Sequence, residues 1–357
     1  MLKDKIVYVV TTGATKAKGV GILLSMLKSE GAQCIVMPTD ASYSMLDLDS
    51  IRGEWVKFNG NEFGARQDEI PEEDLVVVAP CTFNTLSKIA TGIADNYPLS
   101  VIHAAIGSGK PVILALAMNY WYFQHPITPV NINRVNAFGR VRVIWPESIY
   151  SDDGVLEKVT MAPWEKIVDT ICHTYCKTRY SETRKEQETS EIIDDHFPEF
   201  HKTGSKMQQD HFTNGSAGFI AKRIKEGVLV TSSGSCVGNL SRSDLTIIQN
   251  WSNQVITWSG EAKPSSETPL ILEIFDKFPD VKVIIHGHCR SITYSPLMNK
   301  YHSSEYLKYG EWKELYKIQP VLQKYNGGIM KLHGELILAR DFDEAMERYL
   351  DMYRLTC

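Results

Sequence analysis

Five short apolar runs, separated by polar and helical stretches, occupy the first half of the chain. They are rich in valine and isoleucine, which indicates strands buried on both faces of a sheet. The runs cover residues 6–10, 34–37, 75–79, 111–116 and 142–145. Apolar residues recur with helical spacing over residues 21–29, 84–93 and 164–175. This alternation predicts an α/β fold with a doubly wound parallel sheet, whose ligands bind at the carboxyl ends of the strands.

A different pattern follows a charged segment in the middle of the chain. Residues 178–195 are nearly free of apolar side chains and are predicted to be a linker, in part helical. Strands are then predicted at residues 228–231, 255–258, 281–285 and 334–338, and helices at 270–278 and 342–355. Their less regular order predicts a mixed or antiparallel sheet covered by helices. The expected domains are therefore residues 1–177 and 196–357.

Composition and charge exclude several classes of protein. The chain has 357 residues, 43% of them hydrophobic, which is enough for two domains with separate cores. Its formal charge of −5 gives no general attraction to nucleic acid or anionic membranes. No signal peptide and no run of about 18 apolar residues is recognisable. Seven scattered cysteines fit a reducing compartment better than a disulfide framework. We therefore expect a soluble cytoplasmic protein without nucleic-acid or membrane partners.

Three histidines in the second half form a candidate metal site. His286 and His288 directly follow the predicted strand 281–285, and residues two apart on a strand point to the same face. Gly287 between them leaves room for another group to approach closely. His333 precedes a further apolar strand, and Glu267 lies upstream. A lone His-x-His pair is more often structural, but three imidazoles and one displaceable carboxylate suit a catalytic zinc ion.

An ordered set of motifs strengthens this hypothesis. The segments are Asn-Gly-Ser-Ala-Gly at 214–218, Leu-Val-Thr-Ser-Ser-Gly at 229–234, Lys-Pro-Ser-Ser-Glu at 263–267, His-Gly-His at 286–288 and His-Gly at 333–334. Their order and spacing over residues 205–357 resemble the class II aldolase/adducin family. That family includes fuculose- and rhamnulose-phosphate aldolases, ribulose-phosphate 4-epimerases and methylthioribulose-phosphate dehydratase. The resemblance implies a lyase or a related enzyme that acts on a small phosphorylated hydroxy-carbonyl compound.

The resemblance also implies a role for each matching residue. The three histidines would ligate Zn²⁺ or another divalent metal, and Glu267 would be both a ligand and a proton acceptor. The expected phosphate-binding residues are Ser233, Gly234, Ser265 and Ser266. Hydroxyls and backbone N–H groups at a helix start are suitable phosphate donors.

Two departures from the family pattern affect the substrate site. Phe219 replaces the family's phosphate-site asparagine, and a phenyl ring cannot donate a hydrogen bond to phosphate. The segment between His288 and His333 is also shorter than usual. It should carry the proton-donating tyrosine, for which Tyr306 is our choice, with Tyr301 and Tyr309 as the alternatives.

The first half carries a second family resemblance. Ala-Pro-Cys-Thr-Phe-Asn-Thr at 79–85, Gly-Ile-Ala-Asp-Asn at 92–96 and Ala-Met-Asn at 117–119 resemble motifs of the flavoprotein family that contains phosphopantothenoylcysteine decarboxylase. The resemblance covers residues 3–175. A plain doubly wound domain is the alternative, in which Asn84 or Thr85 only caps a helix.

Membership of this family implies bound FMN across the strand ends. The expected cofactor-binding residues are Thr12, Gly13, Thr39, Thr82, Asn84 and Met118, and Asn119 would face the substrate as a catalytic residue. The family's catalytic histidine has no counterpart, since Arg66 falls near its place, and the cysteine-containing flap is missing. Decarboxylation of a cysteine conjugate is therefore doubtful.

Two enzymatic functions fit these observations. The first is a bifunctional fusion, in which a zinc-dependent domain cleaves, epimerises or dehydrates its substrate beside an FMN-binding domain. The alternative is an FMN-dependent decarboxylase or oxidoreductase whose aldolase-like half serves oligomerisation or binding. A non-enzymatic binding protein is a third, less favoured hypothesis. Both resembled families form homo-oligomers, so we expect one here.

Overall fold

The computed structural model describes residues 1–47, 51, 71–151, 156–175, 180–185, 188–252 and 255–356. Arg66 and parts of the predicted linker, residues 178, 179, 186 and 187, lie outside these ranges. The chain divides into two compact units, residues 1–176 and 177–357. Among the described residues, no helix combines the length and the apolar character needed to cross a bilayer.

The first unit contains the parallel sheet that the sequence predicts. Its five strands lie in the order β2-β1-β3-β4-β5 and pair in parallel throughout. The strands are β1 Ile6–Thr11, β2 Gln33–Pro38, β3 Leu75–Cys81, β4 Val112–Leu116 and β5 Val141–Ile144. The helices are α1 Val20–Ser29, α2 Asp40–Tyr43, α3 Phe83–Thr91, α4 Tyr97–Gly107, α5 Tyr120–Phe123, α6 Ile127–Asn136 and α7 Trp164–Tyr175, with a 3-10 helix at Thr15–Gly19. The doubly wound α/β prediction is confirmed.

Helices cover both faces of this sheet, which explains its continuous apolar strands. Tyr8 and Val10 belong to a core formed with α3, α4 and α6. Val7 and Val9 point to the opposite face by strand alternation and are also fully buried. A separate antiparallel hairpin, β6 Glu147–Tyr150 with β7 Leu156–Thr160, was not predicted from the sequence.

The second unit is built on a mixed nine-stranded sheet, as predicted. Its order is β14-β15-β16-β13-β9-β10-β11-β12-β8, and only the pairs β8–β12 and β14–β15 are parallel within the described residues. The strands are β8 Ser181–Arg184, β9 Phe219–Ile224, β10 Gly227–Thr231, β11 Leu245–Ser252, β12 Val255–Gly260, β13 Val283–Gly287, β14 His302–Tyr306, β15 Gly327–Lys331 and β16 Gly334–Ala339. The helices are α8 Ser190–Gln209, α9 Thr268–Lys277, α10 Arg290–Thr293, α11 Gln319–Tyr325 and α12 Phe342–Arg354, with 3-10 helices at Val237–Asn239, Arg242–Asp244, Pro296–Tyr301 and Trp312–Lys317.

The segment predicted as a linker, residues 178–195, contains β8 and the first residues of α8. Strand β8 is short and charged, which is common for strands at a sheet edge. Trp258 of β12 donates its indole N–H to Glu182 at 2.8 Å, and Arg184 donates to the Gly260 carbonyl at 3.0 Å. These contacts explain how the polar strand β8 joins the sheet.

Candidate metal centre and cofactor cavity

Two neighbouring antiparallel strands bring the three predicted histidines together. His286 lies near the end of β13, and His288 follows directly after that strand. Strand β16 pairs with β13, with Glu335 opposite Gly287, so the turn before β16 places His333 beside the other two. One ring nitrogen from each histidine lies within 4.8 Å of the others.

The turn that carries His333 has a strained backbone. Leu332 lies between β15 and β16 with a φ of 58°, in the left-handed region that side chains with a Cβ rarely adopt. The next residue, His333, donates its backbone N–H to the Met330 carbonyl at 2.9 Å. Such strain costs about 1–3 kcal/mol and is typical of functional sites. It accompanies a tight turn that directs His333 into the cluster.

The surroundings of His286 favour a neutral imidazole that can accept a metal. Its Nδ1–H donates to the Glu335 carbonyl oxygen at 2.7 Å, so the proton is placed on Nδ1. The Nε2 atom is buried and has no hydrogen-bond partner among the described residues. Burial lowers the pKa of His286 to about 4, outweighing the carbonyl hydrogen bond. A neutral ring with an unshared Nε2 lone pair has the chemistry of a metal ligand.

Glu267 adds a carboxylate to the histidine cluster. It directly precedes α9 and is only 5% exposed. Its Oε2 accepts the backbone N–H of Gly310 at 3.0 Å, and its Oε1 lies 3.8 Å from Nε2 of His333. Three imidazoles therefore converge with a carboxylate beside one of them, a donor set that fits a borderline divalent cation such as Zn²⁺.

The residues predicted to bind phosphate lie on two adjoining segments. The Ser233 backbone N–H donates to the Lys263 carbonyl at 2.8 Å, and Ser265 N–H donates to the Thr231 carbonyl at 3.2 Å. Ser265 is nearly buried, Ser233 and Ser266 are partly exposed, and Gly234 is exposed. The second segment leads directly into α9, whose first turn contains Pro269.

Among the three candidate tyrosines, Tyr309 lies against the cluster. Its ring centroid is 4.3 Å from that of His333. Tyr301 packs against Tyr325, with centroids 4.7 Å apart. Tyr306, our choice from the sequence, is buried at the end of β14, where its carbonyl accepts the Lys317 ammonium at 2.9 Å. The geometry therefore favours Tyr309 over Tyr306.

Phe219 packs against His286, one of the candidate metal ligands. It begins β9, is fully buried, and its ring lies 5.1 Å from that of His286. The apolar ring helps to desolvate His286. This position cannot supply the amide donor of the family pattern.

Glu335, which was not predicted from the sequence, is a fully buried carboxyl group behind the histidines. Its Oε2 accepts the Cys289 backbone N–H at 3.0 Å and the Tyr349 hydroxyl at 2.7 Å, and its Oε1 accepts the Thr293 hydroxyl. Burial raises its pKa to about 7, although these hydrogen bonds lower it. The only sequence signal is a single acidic residue inside an otherwise apolar strand.

The first unit has a cavity of about 880 Å³ at the carboxyl ends of its strands. Its lining comes from the segments that follow β1, β2, β3 and β4, where the sequence analysis placed the ligand. It includes every predicted cofactor or substrate residue of this unit, namely Thr12, Gly13, Thr39, Thr82, Asn84, Met118 and Asn119. The volume lies within the range of about 300–1,000 Å³ that is typical of small-molecule sites.

Hydrogen bonds hold the polar wall of this cavity. The Thr12 hydroxyl donates to the Pro80 carbonyl at 2.8 Å and accepts the Thr82 backbone N–H at 3.1 Å. The helix cap is Thr82, whose hydroxyl accepts from Thr85 N–H at 3.4 Å, and not Asn84 or Thr85 as considered from the sequence. Asn84 is therefore exposed to the cavity without a capping role.

The cavity also has lining residues that the sequence analysis missed. Lys16 and Lys158 add positive charge, and Phe83 stacks on Tyr122 with ring centroids 4.9 Å apart. Lys16 lies in the 3-10 helix that follows β1, where ligand binding was expected from the end of the strand, whereas Lys158 lies on the unpredicted hairpin. Hydroxyls, cations and aromatic rings together suit a planar ligand with an anionic group.

Comparisons with known proteins match each half separately. The Flavoprotein family model matches residues 1–175, and the Class II Aldolase and Adducin N-terminal domain model matches residues 199–356. Phosphopantothenoylcysteine decarboxylase of Mus musculus is 32% identical over 146 residues, covering 38% of this chain and 71% of that protein. The enzyme of the same name from Oryza sativa subsp. japonica is 30% identical, covering 31% of this chain and 54% of that protein. The structure of YgbL from Klebsiella pneumoniae, described as a candidate aldolase/epimerase/decarboxylase, is 18% identical with a TM-score of 0.39, covering 46% of this chain and 87% of that one.

Proposed function

Since the chain belongs to the flavoprotein family in its first half and to the class II aldolase and adducin family in its second half, we propose that it is a bifunctional enzyme. The second half cleaves a carbon–carbon bond in a small, phosphorylated hydroxy-carbonyl compound with the aid of zinc. Epimerisation and dehydration also depend on a polarised substrate carbonyl that activates the neighbouring carbon, and they are the related alternatives. The observation that carries the proposal is the convergence of His286, His288 and His333, with the Glu267 carboxylate beside His333.

The metal would be held by the three imidazoles, with Glu267 as an exchangeable fourth ligand. When bound, the cation supplies Lewis-acid polarisation of a substrate carbonyl and its neighbouring hydroxyl. The carboxylate of Glu267 accepts the proton of the substrate hydroxyl whose carbon becomes a carbonyl. The Tyr309 hydroxyl returns a proton to the carbon of the other product. This division of roles keeps the acid and the base on separate residues.

The substrate phosphate would bind between the two serine segments. Ser233, Ser265 and Ser266 supply hydroxyl donors, and Gly234 exposes its backbone. Because Phe219 offers no donor, phosphate contacts must come from this side. The site therefore anchors one end of the substrate while its carbonyl faces the histidines.

A retro-aldol assay with a panel of ketose and aldose phosphates tests this function. Removal of metal with a chelator should abolish turnover, and added Zn²⁺ should restore it. His286→Ala should lack turnover under both conditions. Equal activity of the metal-free and metal-loaded wild type would contradict the proposal.

We further propose that the first half binds FMN in its 880 Å³ cavity. The isoalloxazine ring would lie across Thr82, Asn84 and Met118, and Thr12, Gly13 and Thr39 would be near the phosphate. Lys16 supplies a positive charge on the same wall. Asn119, which also lines the cavity, would face a second substrate. Equilibrium dialysis of the flavin-free protein with FMN should give one bound flavin per chain, and failure to bind would remove this part of the proposal.

A further inference from the structure

Glu335 contacts two proposed metal-ligand segments, one through its backbone carbonyl and the other through its side chain. Its backbone carbonyl accepts Nδ1–H of His286 at 2.7 Å, and this bond fixes the ring so that Nε2 faces the cluster. Its side chain accepts the backbone N–H of Cys289, the residue directly after His288, at 3.0 Å. A single residue of β16 therefore holds both ends of the His-Gly-His segment.

The side chain of Glu335 is held in place by further donors. The hydroxyls of Thr293 in α10 and Tyr349 in α12 both donate to it. Three donors converge on a carboxylate that is 0% exposed. A carboxylate is the side chain best suited to accept three such bonds, because its two oxygens offer about four lone-pair sites and no competing donor.

We propose that the Glu335 side chain is a positioning group of the metal centre, fixing the backbone that carries His288, while the backbone carbonyl of the same residue holds the His286 ring. The inference rests on the proposed metal-dependent function and adds a residue that acts through the ligands without contacting the cation or substrate. An unpaired carboxyl group would be destabilising at a fully buried strand position. The positioning role explains why an acidic residue is nevertheless found there. It also assigns a role to Tyr349 and Thr293, which close the remaining acceptor sites.

Metal binding by the full chain tests this assignment without requiring the substrate. Zinc affinity is measured by competition with a chromogenic chelator, and ligand geometry by the visible spectrum of the Co²⁺-loaded protein. Glu335→Leu preserves the approximate volume but removes the acceptors, so zinc affinity should fall about 10- to 100-fold and the Co²⁺ bands should change. Glu335→Gln keeps one carbonyl acceptor for Cys289 N–H and should give a smaller loss.

Thr246→Val is the matched control. Thr246 is buried in β11, three strands away from β13, and donates to the Ala262 carbonyl at 2.5 Å. Its loss removes a buried hydrogen bond of the same unit without touching the His-Gly-His segment. Wild-type zinc affinity and an unchanged Co²⁺ spectrum are therefore expected for this variant.

The outcomes separate the inference from the function on which it rests. If folded Glu335→Leu binds zinc and Co²⁺ as the wild type does, the positioning role is wrong. Where circular dichroism shows that Glu335→Leu is unfolded, Glu335→Gln decides: reduced affinity with altered Co²⁺ bands supports the role, and wild-type behaviour overturns it. A wild-type protein that binds no metal overturns the proposed function and the inference together, before any variant is compared.

Discussion

Replacement of Gly287 by alanine tests the packing behind the metal centre. A Cβ built on Gly287 would lie 2.6 Å from the Phe212 carbonyl oxygen and 2.7 Å from Cζ of Tyr349, and still closer to the Tyr349 hydroxyl. Contacts under 3.0 Å force atoms to move. The Tyr349 ring has little room, because it is fully buried and stacks on Phe212 with centroids 4.1 Å apart.

Two costs contribute to the expected loss of stability. Overpacking of a well-packed core costs about 1–3 kcal/mol. Displacing the Tyr349 hydroxyl from Glu335 removes a donor from a buried carboxyl group, at a further cost of about 1–3 kcal/mol. We therefore expect Gly287→Ala to lower the free energy of unfolding of the metal-free protein by about 2–6 kcal/mol.

Urea denaturation followed by circular dichroism measures this change. Gly107→Ala is the control, because that glycine lies in α4 with no neighbouring atom within 4 Å of a new Cβ, so neutral or increased stability is expected. Adding Tyr349→Phe to Gly287→Ala removes the nearest clashing atom and should make the two changes non-additive. The reasoning is refuted if Gly287→Ala is as stable as Gly107→Ala.

Three further predictions concern protonation, the proton donor and the flavin. Lowering the pH from 6.5 to 4 should reduce the free energy of unfolding of the metal-free protein by about 3 kcal/mol through His286. The reason is that the pKa of His286 is about 6.5 in the unfolded chain and about 4 in the folded chain. Urea titrations at each pH should show that this pH dependence is missing in His286→Gln. Glu335 has the opposite effect in the wild type and in His286→Gln, because its raised pKa of about 7 makes stability fall as the pH rises from 4.5 to 7. An identical pH dependence of the two proteins would contradict the lowered pKa of His286. Tyr309→Phe should reduce retro-aldol turnover by about 10²–10⁴-fold with unchanged zinc content, whereas an equal loss in Tyr306→Phe would argue against choosing Tyr309. Asn84→Ala should weaken FMN binding in fluorescence titrations while Asn136→Ala, on an exposed part of α6, should not; equal affinities would remove Asn84 from the site.

Local pattern was sufficient for much of the fold and for the cofactor cavity. Apolar runs located the five strands of the first sheet, and the rule that ligands bind at strand ends indicated the loops that follow them. The flavoprotein resemblance then supplied Thr12, Thr39, Thr82 and Asn119. Helices α4 and α6 were missed. Their apolar positions lack a clear single face, because α4 is apolar on most sides and α6 mixes polar and apolar residues.

The metal centre shows which information a single sequence lacks. Strand alternation places His286 and His288 on one side, but nothing local states that β16 pairs with β13 and brings in His333. The family resemblance supplied that relation. Tyr309 could not be separated from Tyr306 because the choice depends on the path of the loop after β14.

Glu335 was missed for a related reason. Its partners Cys289, Thr293 and Tyr349 are distributed over about 60 residues and share no spacing. A buried acid in an apolar strand indicates that donors must exist, but only the folded chain identifies them. The expected homo-oligomer stays a prediction from the two family resemblances.

Metal analysis of the purified protein tests the central claim most directly. The wild type, after dialysis against buffer containing Zn²⁺ and then metal-free buffer, should retain one zinc ion per chain by elemental mass spectrometry. A variant in which His286, His288 and His333 are all replaced by alanine should retain none while its first unit still binds FMN. Zinc retained equally by both proteins, or by neither, would contradict a metal centre at these three histidines.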